Sequence, residues 1–432
     1  MPLTEIKTQR LHPNRLKWHL YNAPSSRIAR AWRAANHHST MGYMTTITPT
    51  GRPSALANVD TALFDQIEQE IDAIKQRYRS KLGSTDIEYI TGLRRKSRIF
   101  EAIGRGLLWI SPEPITFLLG VGFVWLHRNL EALEIGHNVL HGQYDYFPEI
   151  PQFHAHHFKW KAPVDEEGWR REHNALHHVY TNVYEKDPDL NHGILRTNEQ
   201  TPWNSRHLYQ VPIYLLGAYP TILYQFNEQN LGFGQQFREK AFPKGNEGYA
   251  LVDNPGVSED ALKQRRWRSI LRVVVKEYVL FPALALLTGF SGAKVLAGNL
   301  LADLINNYWI SLTIQATHLT EPLQPEEVLK HKGHWYLSQL DSSVNFKGSR
   351  RMSILWGHLN YQVEHHLFPD IPSHRYPDMA KEVKLVCAKY GIAYKCNPHW
   401  ARAISNYISV MWKYSFPPSP SNQKPLTGAG HV

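Results

Sequence analysis

Cysteine and methionine are scarce in this sequence of 432 residues. It contains 2 cysteines and 6 methionines, against 24 histidines. Cys387 and Cys396 match neither a disulfide framework nor a zinc ribbon, so the sequence excludes a thiolate site and favours a reducing compartment. Any bound metal would therefore be held by imidazole, which suits iron, copper, zinc or nickel.

Long apolar runs are missing too. No stretch reaches the roughly 20 uninterrupted apolar residues that would by themselves identify a transmembrane helix. Four weaker segments are present, at residues 106–126, 208–227, 279–293 and 295–317. The second contains two prolines and four tyrosines, which favour the membrane interface. A turn at 112–114 would divide the first, so the number of crossings before the first histidine cluster stays open.

The last two segments predict a hairpin. Its flanks, 263–272 and 330–351, are both basic, as is typical of the cytoplasmic side of a membrane. The hairpin also lets the histidine clusters before and after it lie on one side of the bilayer. We therefore predict an all-α, multi-pass, integral-membrane helical bundle of about four transmembrane helices, with a histidine-rich cap and active site on the cytoplasmic face.

The net charge of +10 would suit nucleic acid. However, the basic residues are spread through loops beside the apolar segments, and no nucleic-acid-binding motif accompanies them. We expect membrane lipid, and no nucleic acid, as the partner of this charge.

The chain divides into four predicted parts. These are a basic, partly disordered extension at 1–57, an amphipathic helical segment at 58–93, the main domain at 94–398, and a C-terminal segment with a disordered tail at 399–432. Met41 and Met44 are alternative start positions to Met1. The helical segment is predicted because apolar residues recur with the period of a helix.

Histidines cluster in a pattern that indicates metal binding. The clusters are His137 and His141 in HNVLH, His173, His177 and His178 in HNALHH, His318 in QATHL, and His365 and His366 in QVEHH. Positions four apart share one face of a helix, so each pair can direct two imidazoles to one point. Isolated pairs are weak evidence, but three such groups together are strong.

Eight imidazoles exceed what one metal ion uses, so the count predicts two ions with positions left open for water or oxygen. Two iron ions fit best, because zinc has no redox chemistry. His318 stands alone and could be a core residue, but it follows the predicted hairpin, and we predict it to be a ligand. His358 and Gln362 share a face with His366 and are predicted to support the ligands by hydrogen bonding. The remaining histidine groups are predicted to be loop or surface residues: His154, His156 and His157, and His331 and His334.

The three clusters resemble the histidine boxes HxxxH, HxxxHH and QxxHH of the membrane fatty-acid desaturase family, and the likeness covers roughly 94–398. It is closest to bacterial acyl desaturases and front-end acyl-CoA desaturases, in the runs EIGHNVLHGQYDYF, EHNALHHVYTN and GHLNYQVEHHLFPDIPSHRY. The resemblance implies that the seven box histidines bind two irons and that His318 matches an additional family histidine. It also implies that Gln362 replaces a histidine of other members, and that Asp187 and Asp189 match an acidic pair of the family, to which we assign a supporting role.

The resemblance implies a desaturase that uses O₂ to introduce a double bond into an acyl chain carried on CoA, acyl carrier protein or lipid. Reducing O₂ to two waters takes four electrons, of which the acyl chain supplies two. No haem-binding or GxGxxG dinucleotide motif occurs in the sequence, so we expect an external donor: a ferredoxin, cytochrome b5 or a reductase. A di-iron hydroxylase of an alkane, sterol or carotenoid is the nearest alternative, and a non-catalytic metal-binding or metal-transport membrane protein is a more distant one. Chain length and double-bond position stay open.

Overall fold

The computed structural model describes residues 61–190, 195–234 and 252–418. The predicted extension at 1–57 and the tail beyond 418 lie outside these ranges. The helices of the first half are α1 Thr61–Arg79, α2 Ser84–Ile110, α3 Pro114–Asn129, π1 Leu130–His137, α4 Asn138–Leu140, α5 Glu166–Trp169, π2 Arg170–His177, α6 His178–Tyr180, α7 Gln210–Pro212, π3 Ile213–Ala218 and α8 Ile222–Asn230. Those of the second half are α9 Glu259–Val274, π4 Val275–Leu280, α10 Phe281–Leu287, α11 Gly292–Ile314, α12 Lys332–Asp341, α13 Arg350–Leu355, α14 Gln362–Leu367, α15 Tyr376–Lys389 and α16 Trp400–Ser415.

Short 3₁₀ turns connect several of these helices. They are Pro151–Phe153, Ser205–Tyr209, Tyr219–Thr221, Gln315–Thr317, Glu326–Lys330, Leu359–Tyr361 and Ser373–Arg375. In the described ranges the only strands are β1 Asn345–Phe346 and β2 Cys396–Asn397, which pair in parallel. The predicted all-α fold class is therefore confirmed.

Helices α2 and α3 form a hairpin with a tight turn. The side chain of Glu113 accepts hydrogen bonds from the backbone N–H groups of Ile115 at 2.5 Å and Thr116 at 2.7 Å, which caps α3. The two helices can pack closely because residue 104 is glycine: a Cβ at this position would lie only 2.7 Å from the Val124 nitrogen. The segment 106–126 therefore divides between Ile110 and Pro114, at the turn that the sequence suggested at 112–114.

Helices α10 and α11 form a second hairpin, which matches the predicted one at 279–317. A buried network of charges joins the two hairpins. Arg128 donates to Asp303 at 2.7 Å and to Glu277 at 2.5 Å, and Arg105 pairs with Glu277 and donates to Asn299 at 2.5 Å. Because unpaired charges in a low-dielectric interior are costly, this pairing fixes how the hairpins pack.

Large apolar side chains lie on the outer surface of both hairpins. Exposed ones are Ile103, Ile110, Ile115, Leu118, Leu119, Leu286, Leu287, Leu300 and Leu304. In the described ranges, no helix has both the length and the apolar character needed to cross a membrane.

Helix α1 covers the end of the molecule that contains the histidine boxes. Its apolar stripe is buried against α12 and α15, with Ile67 and Ile71 fully buried. Asp72 on the same helix accepts a hydrogen bond from Tyr336 at 2.6 Å and pairs with Lys332. The first helix of the described chain is thus held by elements that lie more than 250 residues later.

Candidate metal centre

Two π-helices position the first two histidine boxes. π1 ends at His137 and π2 ends at His177. A π-helix carries one extra residue per hydrogen-bonded turn and changes the direction of the side chains that follow it, and such segments are frequent at functional sites. Asn138, next to His137, donates to the carbonyl of Glu134 at 3.0 Å. This bond fixes the helix at the point where the first box begins.

The structure brings all eight predicted ligand histidines together. Each is at most 8% exposed. Ligand-capable atoms lie within 4.8 Å of one another in three sets: His137, His141, His173 and His365; His177, His318 and His366; and His178, His365 and His366. His178 thus joins the first two sets, and its ring stacks on that of His366 with centroids 4.2 Å apart. The arrangement is one continuous cluster with two foci.

The imidazoles meet the chemical requirements of a metal site. Both ring nitrogens of His141, His178 and His365, and Nε2 of His173 and His366, are buried with no hydrogen-bond partner. Leaving a buried polar group without a partner costs roughly 1–3 kcal/mol, and a bound cation would satisfy several of these nitrogens at once. The residues present therefore fit a bound metal.

The electrostatics of the cluster favour neutral ligands. Burial, followed by the repulsion of neighbouring imidazoles, holds the pKa of His141, His178, His365 and His366 well below the ordinary value of 6.5. A neutral imidazole keeps a nitrogen lone pair for a metal ion. At neutral pH these rings can therefore coordinate without first losing a proton.

Three ligand rings are held from behind by acceptors. His318 Nδ1 lies 3.0 Å from the carbonyl of Ser342, and His366 Nδ1 lies 2.9 Å from the side-chain oxygen of Gln339. His177 Nδ1 lies 2.9 Å from Asp187. Such contacts fix the tautomer and leave Nε2 directed into the cluster.

Asp187 and Asp189 lie beside the second box. Burial opposes protonation of His177, but the charges of Asp187 and Asp189 raise its pKa to about 9. Asp187 also accepts backbone hydrogen bonds from Asn182 at 2.8 Å and Asp189 at 2.9 Å. The Asp189 carboxylate forms a further candidate metal group with His173 and His177. Asp187 therefore orients a ligand, while Asp189 is close enough to coordinate.

Gln362 and His358 occupy different places. The Gln362 side-chain nitrogen lies 2.6 Å from His318 Nε2, the nitrogen that faces the cluster. Gln362 therefore hydrogen-bonds to a candidate ligand, as predicted, and does so on the side of the ring that faces the second focus. His358 contacts the Glu134 carboxylate at 2.9 Å, and Glu134 also accepts from Ser373 at 2.8 Å and from Tyr89 at 2.6 Å. This contact fastens the first box to the segment that precedes the third.

Several site residues were not found from the sequence. Gln339 and Ser342 belong to no motif, and only the tertiary fold brings them to the ligands. Glu134 and Trp169 had a signal, because they precede His137 by three residues and His173 by four, which places each on the helix face of its box.

The other histidine groups lie elsewhere. His154 bonds the carbonyl of Phe147 at 2.8 Å, His331 contacts Asp65 at 3.2 Å, and His334 stacks on Phe64 with centroids 4.6 Å apart. None of them belongs to a metal group among the described residues.

Comparison with known proteins identifies the family. The family model described as fatty acid desaturase matches residues 109–398. The chain is 30% identical over 351 residues, 78% of its own length and 77% of the relative's, to NADPH-dependent stearoyl-CoA 9-desaturase of Mycobacterium tuberculosis. It is 25% identical over 299 residues to Delta(5) fatty acid desaturase A of Dictyostelium discoideum, covering 67% of the chain and 61% of the relative. It is 24% identical over 341 residues to sn-1 linoleoyl-lipid 6-desaturase of Arthrospira platensis, covering 76% and 84%. The chain, an oxidoreductase of fatty acyl substrates as its sequence predicted, belongs to the fatty acid desaturase family.

Proposed function

We propose that the protein is an integral-membrane acyl-CoA desaturase with two iron ions in the histidine cluster. The observation that carries the di-iron assignment is the arrangement of eight buried imidazoles around two foci, which is more than one ion can use. The CoA carrier is supported by the Mycobacterium tuberculosis relative, whose name specifies stearoyl-CoA.

The protein would hold the irons through His137, His141, His173 and His365 at one focus and His177, His178, His318 and His366 at the other. When bound, the irons would supply oxygen activation and the removal of hydrogen from an unactivated methylene. The chain's own residues provide the setting: Trp169 stacks on His173 with centroids 4.5 Å apart and closes one side of the site. This apolar ring excludes water from the first focus and keeps the imidazoles in place.

The electron balance requires a donor. Two electrons and two protons, added to O₂ and to the two hydrogens lost from the acyl chain, give two waters and one double bond. An external one-electron carrier, a ferredoxin, cytochrome b5 or a reductase, would deliver those two electrons. The NADPH dependence in the name of one relative supports a chain of carriers that begins with a nicotinamide.

Membrane insertion is part of the proposal. The hairpins α2–α3 and α10–α11 would enter the bilayer from the same side, with their exposed apolar side chains towards lipid and the network of Arg105, Arg128, Glu277 and Asp303 inside the bundle. Polar groups within a membrane are tolerated when they are paired in this way. Two hairpins return the chain to its starting side, so the histidine cluster would lie on the cytoplasmic face.

Two experiments test these proposals. Expression in a host with a simple fatty-acid profile, followed by mass spectrometry of methyl esters, should reveal a new double bond and its position. Loss of two hydrogens identifies a desaturase, whereas gain of one oxygen would identify a hydroxylase. Assays of the purified enzyme with stearoyl-CoA and with stearoyl phospholipid distinguish the carriers, and product from phospholipid alone would refute the CoA assignment.

The topology is tested with reporters. Fusions near Asn227 and Leu340 should read cytoplasmic, and insertions near Pro112 and Gly292 should read external. An external signal near Leu340 would contradict a shared cytoplasmic site.

A further inference from the structure

A cavity of about 270 Å³ lies beside the first hairpin and is separate from the histidine cluster. Its lining includes the cationic side chains of Lys159, Lys161, Arg272 and Lys276. Arg98 lies beside them, because it shares the carboxylate of Glu101 with Lys161 and Lys276. These five cations are here called the basic rim. Two carboxylates are interleaved with them, those of Glu101 and Glu166. The rim therefore keeps an excess of positive charge at the surface.

Beneath the rim, two tryptophans connect the cavity to the metal cluster. Trp160 lines the cavity and is 5% exposed. Its ring packs edge-on against Trp169 with centroids 5.5 Å apart, and Trp169 stacks on His173 at 4.5 Å. Trp169 also contacts the rings of His137 at 5.4 Å and His141 at 5.2 Å. A continuous series of aromatic rings thus runs from the floor of the basic rim to three ligands of one focus.

The position of Trp160 is closely determined. Its indole N–H donates to the carbonyl of Glu131 at 3.1 Å, and its backbone N–H donates to Glu166 at 2.8 Å. Glu166 in turn accepts from Arg272 of the rim at 2.6 Å. A Cβ on Gly136 would lie 1.9 Å from the Trp160 indole nitrogen, so only glycine leaves room for the ring. The rim, the indole and the helix of the first box therefore form one rigid unit.

The chemistry of the cavity does not suit a small anionic ligand. Its inner wall carries the carboxylates of Glu131, Glu277 and Asp303 against the guanidinium of Arg128, and these charges interrupt its apolar lining. A phosphate would therefore meet more negative than positive charge on this wall, and an acyl chain would have to bury charged groups. The rim cations lie outside these acids, where a large partner could contact them without entering the cavity. A protein with an acidic surface fits this distribution of charge, because complementary rim charges steer association.

We propose that the basic rim is the docking surface for an acidic one-electron carrier protein and that the Trp160–Trp169 pair conducts its electrons to the metal centre. This inference rests on the proposed function. Each carrier is oxidised by one electron, and two such events supply the two electrons that O₂ reduction requires beyond those of the acyl chain. The tryptophans shorten the distance over which an electron must pass between carrier and metal. Their own oxidation state is the same before and after each transfer.

Docking is tested by binding, with no turnover. The full-length enzyme in phosphatidylcholine nanodiscs is titrated with an acidic [2Fe–2S] ferredoxin by interferometry at low and moderate salt. Arg98→Glu/Lys159→Glu should weaken binding at least about tenfold at low salt and flatten the salt dependence, since rim charges act mainly on association. The matched control, Lys381→Glu/Lys389→Glu, reverses two exposed lysines on α15 and should leave binding unchanged. Equal affinity of wild type and the rim variant would overturn the docking surface, and so would loss of stearoyl-CoA binding with ferredoxin affinity retained.

The aromatic path is tested separately. Trp160→Leu should keep ferredoxin affinity and iron content but slow the oxidation of reduced ferredoxin in anaerobic stopped flow by at least about tenfold. Trp160→Phe should recover part of the rate, and Trp400→Leu, which removes an indole that packs on Trp309 and Trp356, should match wild type. A wild-type rate in Trp160→Leu would overturn the path.

A single turnover after reduction with dithionite bypasses the carrier. Wild type and Trp160→Leu should then form equal amounts of product from stearoyl-CoA, and a lower yield in the variant would overturn a role confined to electron transfer. If wild type forms no double bond in this assay, the proposed reaction fails, while the ferredoxin titration still decides the docking surface.

Discussion

Removing the charge of Asp187 should weaken metal binding without unfolding the protein. Asp187 is 2% exposed and its carboxylate lies 2.9 Å from His177 Nδ1. In Asp187→Asn the amide oxygen can still accept a hydrogen bond, but the negative charge that strengthens the donor properties of the ring is lost. Groups that hold a metal-binding histidine from behind typically contribute 10- to 100-fold in metal affinity, which corresponds to about 1.4–2.7 kcal/mol.

The size of this effect follows from what the substitution leaves intact. The Asp187 oxygen that accepts from His177 also accepts from the backbone N–H of Asp189, and the amide oxygen of an Asn side chain can keep both contacts. The backbone N–H of Asn182 bonds the other oxygen and loses its acceptor in Asp187→Asn. Asp187→Ala loses both backbone contacts, and each lost acceptor should lower the free energy of unfolding by roughly 1–3 kcal/mol. Comparing the two variants separates the effect on metal from the effect on folding.

The assay is competition of iron-loaded enzyme against a calibrated chelator, with iron measured by mass spectrometry. A matched control is Asp145→Asn. The Asp145 carboxylate accepts a hydrogen bond from the backbone N–H of Ala155 at 2.7 Å and does not contact the histidine cluster. The reasoning would be refuted if Asp187→Asn retained wild-type iron affinity, or if it lost iron only in proportion to lost thermal stability.

Three further predictions concern the site and the scaffold. His318→Ala should lose at least half of the bound iron and nearly all activity, while the amount of protein in the membrane stays unchanged. His156→Ala should match wild type in metal analysis. A wild-type iron content in His318→Ala would show that His318 is a core residue and not a ligand. Burial alone would raise the pKa of Asp86, but hydrogen bonds from His374 and Arg375 hold it well below its ordinary value. The stability that the ionised Asp86 contributes is therefore fully present above about pH 4, the pKa of an Asp side chain in the unfolded chain. It is lost as the pH falls from there through the lower pKa of Asp86 in the folded protein. Asp86→Asn should lower the free energy of unfolding by about 3–5 kcal/mol at pH 7, and by little at a pH below the pKa of Asp86 in the folded protein. If wild type and variant differed by the same free energy at every pH, the ion-pair explanation would be contradicted. Ile71→Ala, in the fully buried stripe of α1, should lower the free energy of unfolding measured in detergent by about 2–5 kcal/mol. A decrease below about 0.5 kcal/mol would show that α1 does not pack on α12 and α15.

The clustering of the eight histidines could be predicted from the sequence because most of its signal is local. His173 and His177 are spaced for one helix face, and the same rule applies to His137 and His141, so the boxes could be recognised without tertiary information. The π-helices that end at His137 and His177 could not be predicted, since no residue type specifies them. The close approach of Trp160 to Gly136 within the first of them was likewise visible only in the fold.

The details that the sequence left open depend on distant contacts. Gln362 was predicted to support the candidate ligands by hydrogen bonding, and only the fold shows which one it contacts, since its amide nitrogen lies 2.6 Å from His318 Nε2. For the segment 106–126 the sequence left the number of crossings open, and the fold places the dividing turn at Glu113, which caps the following helix. The second hairpin was predicted because two weakly apolar segments, 279–293 and 295–317, follow each other with Lys294 between them. Local spacing therefore predicted the histidines that the fold brings together, whereas the residues that contact them from other elements required the tertiary structure.

The burial of α1 against α12 and α15 sets an order for the synthesis of this protein. Contacts such as Arg77 with Glu382 join residues 305 positions apart. At roughly 5–20 residues per second, the apolar stripe of α1 waits on the order of 15–60 seconds after its own translation before its partners leave the ribosome. During that interval Ile67 and Ile71 have no native surface to cover them. The earliest described helix of the chain is therefore the one most dependent on chaperones or on the membrane surface, and strains with slowed translation should accumulate chains cleaved near it.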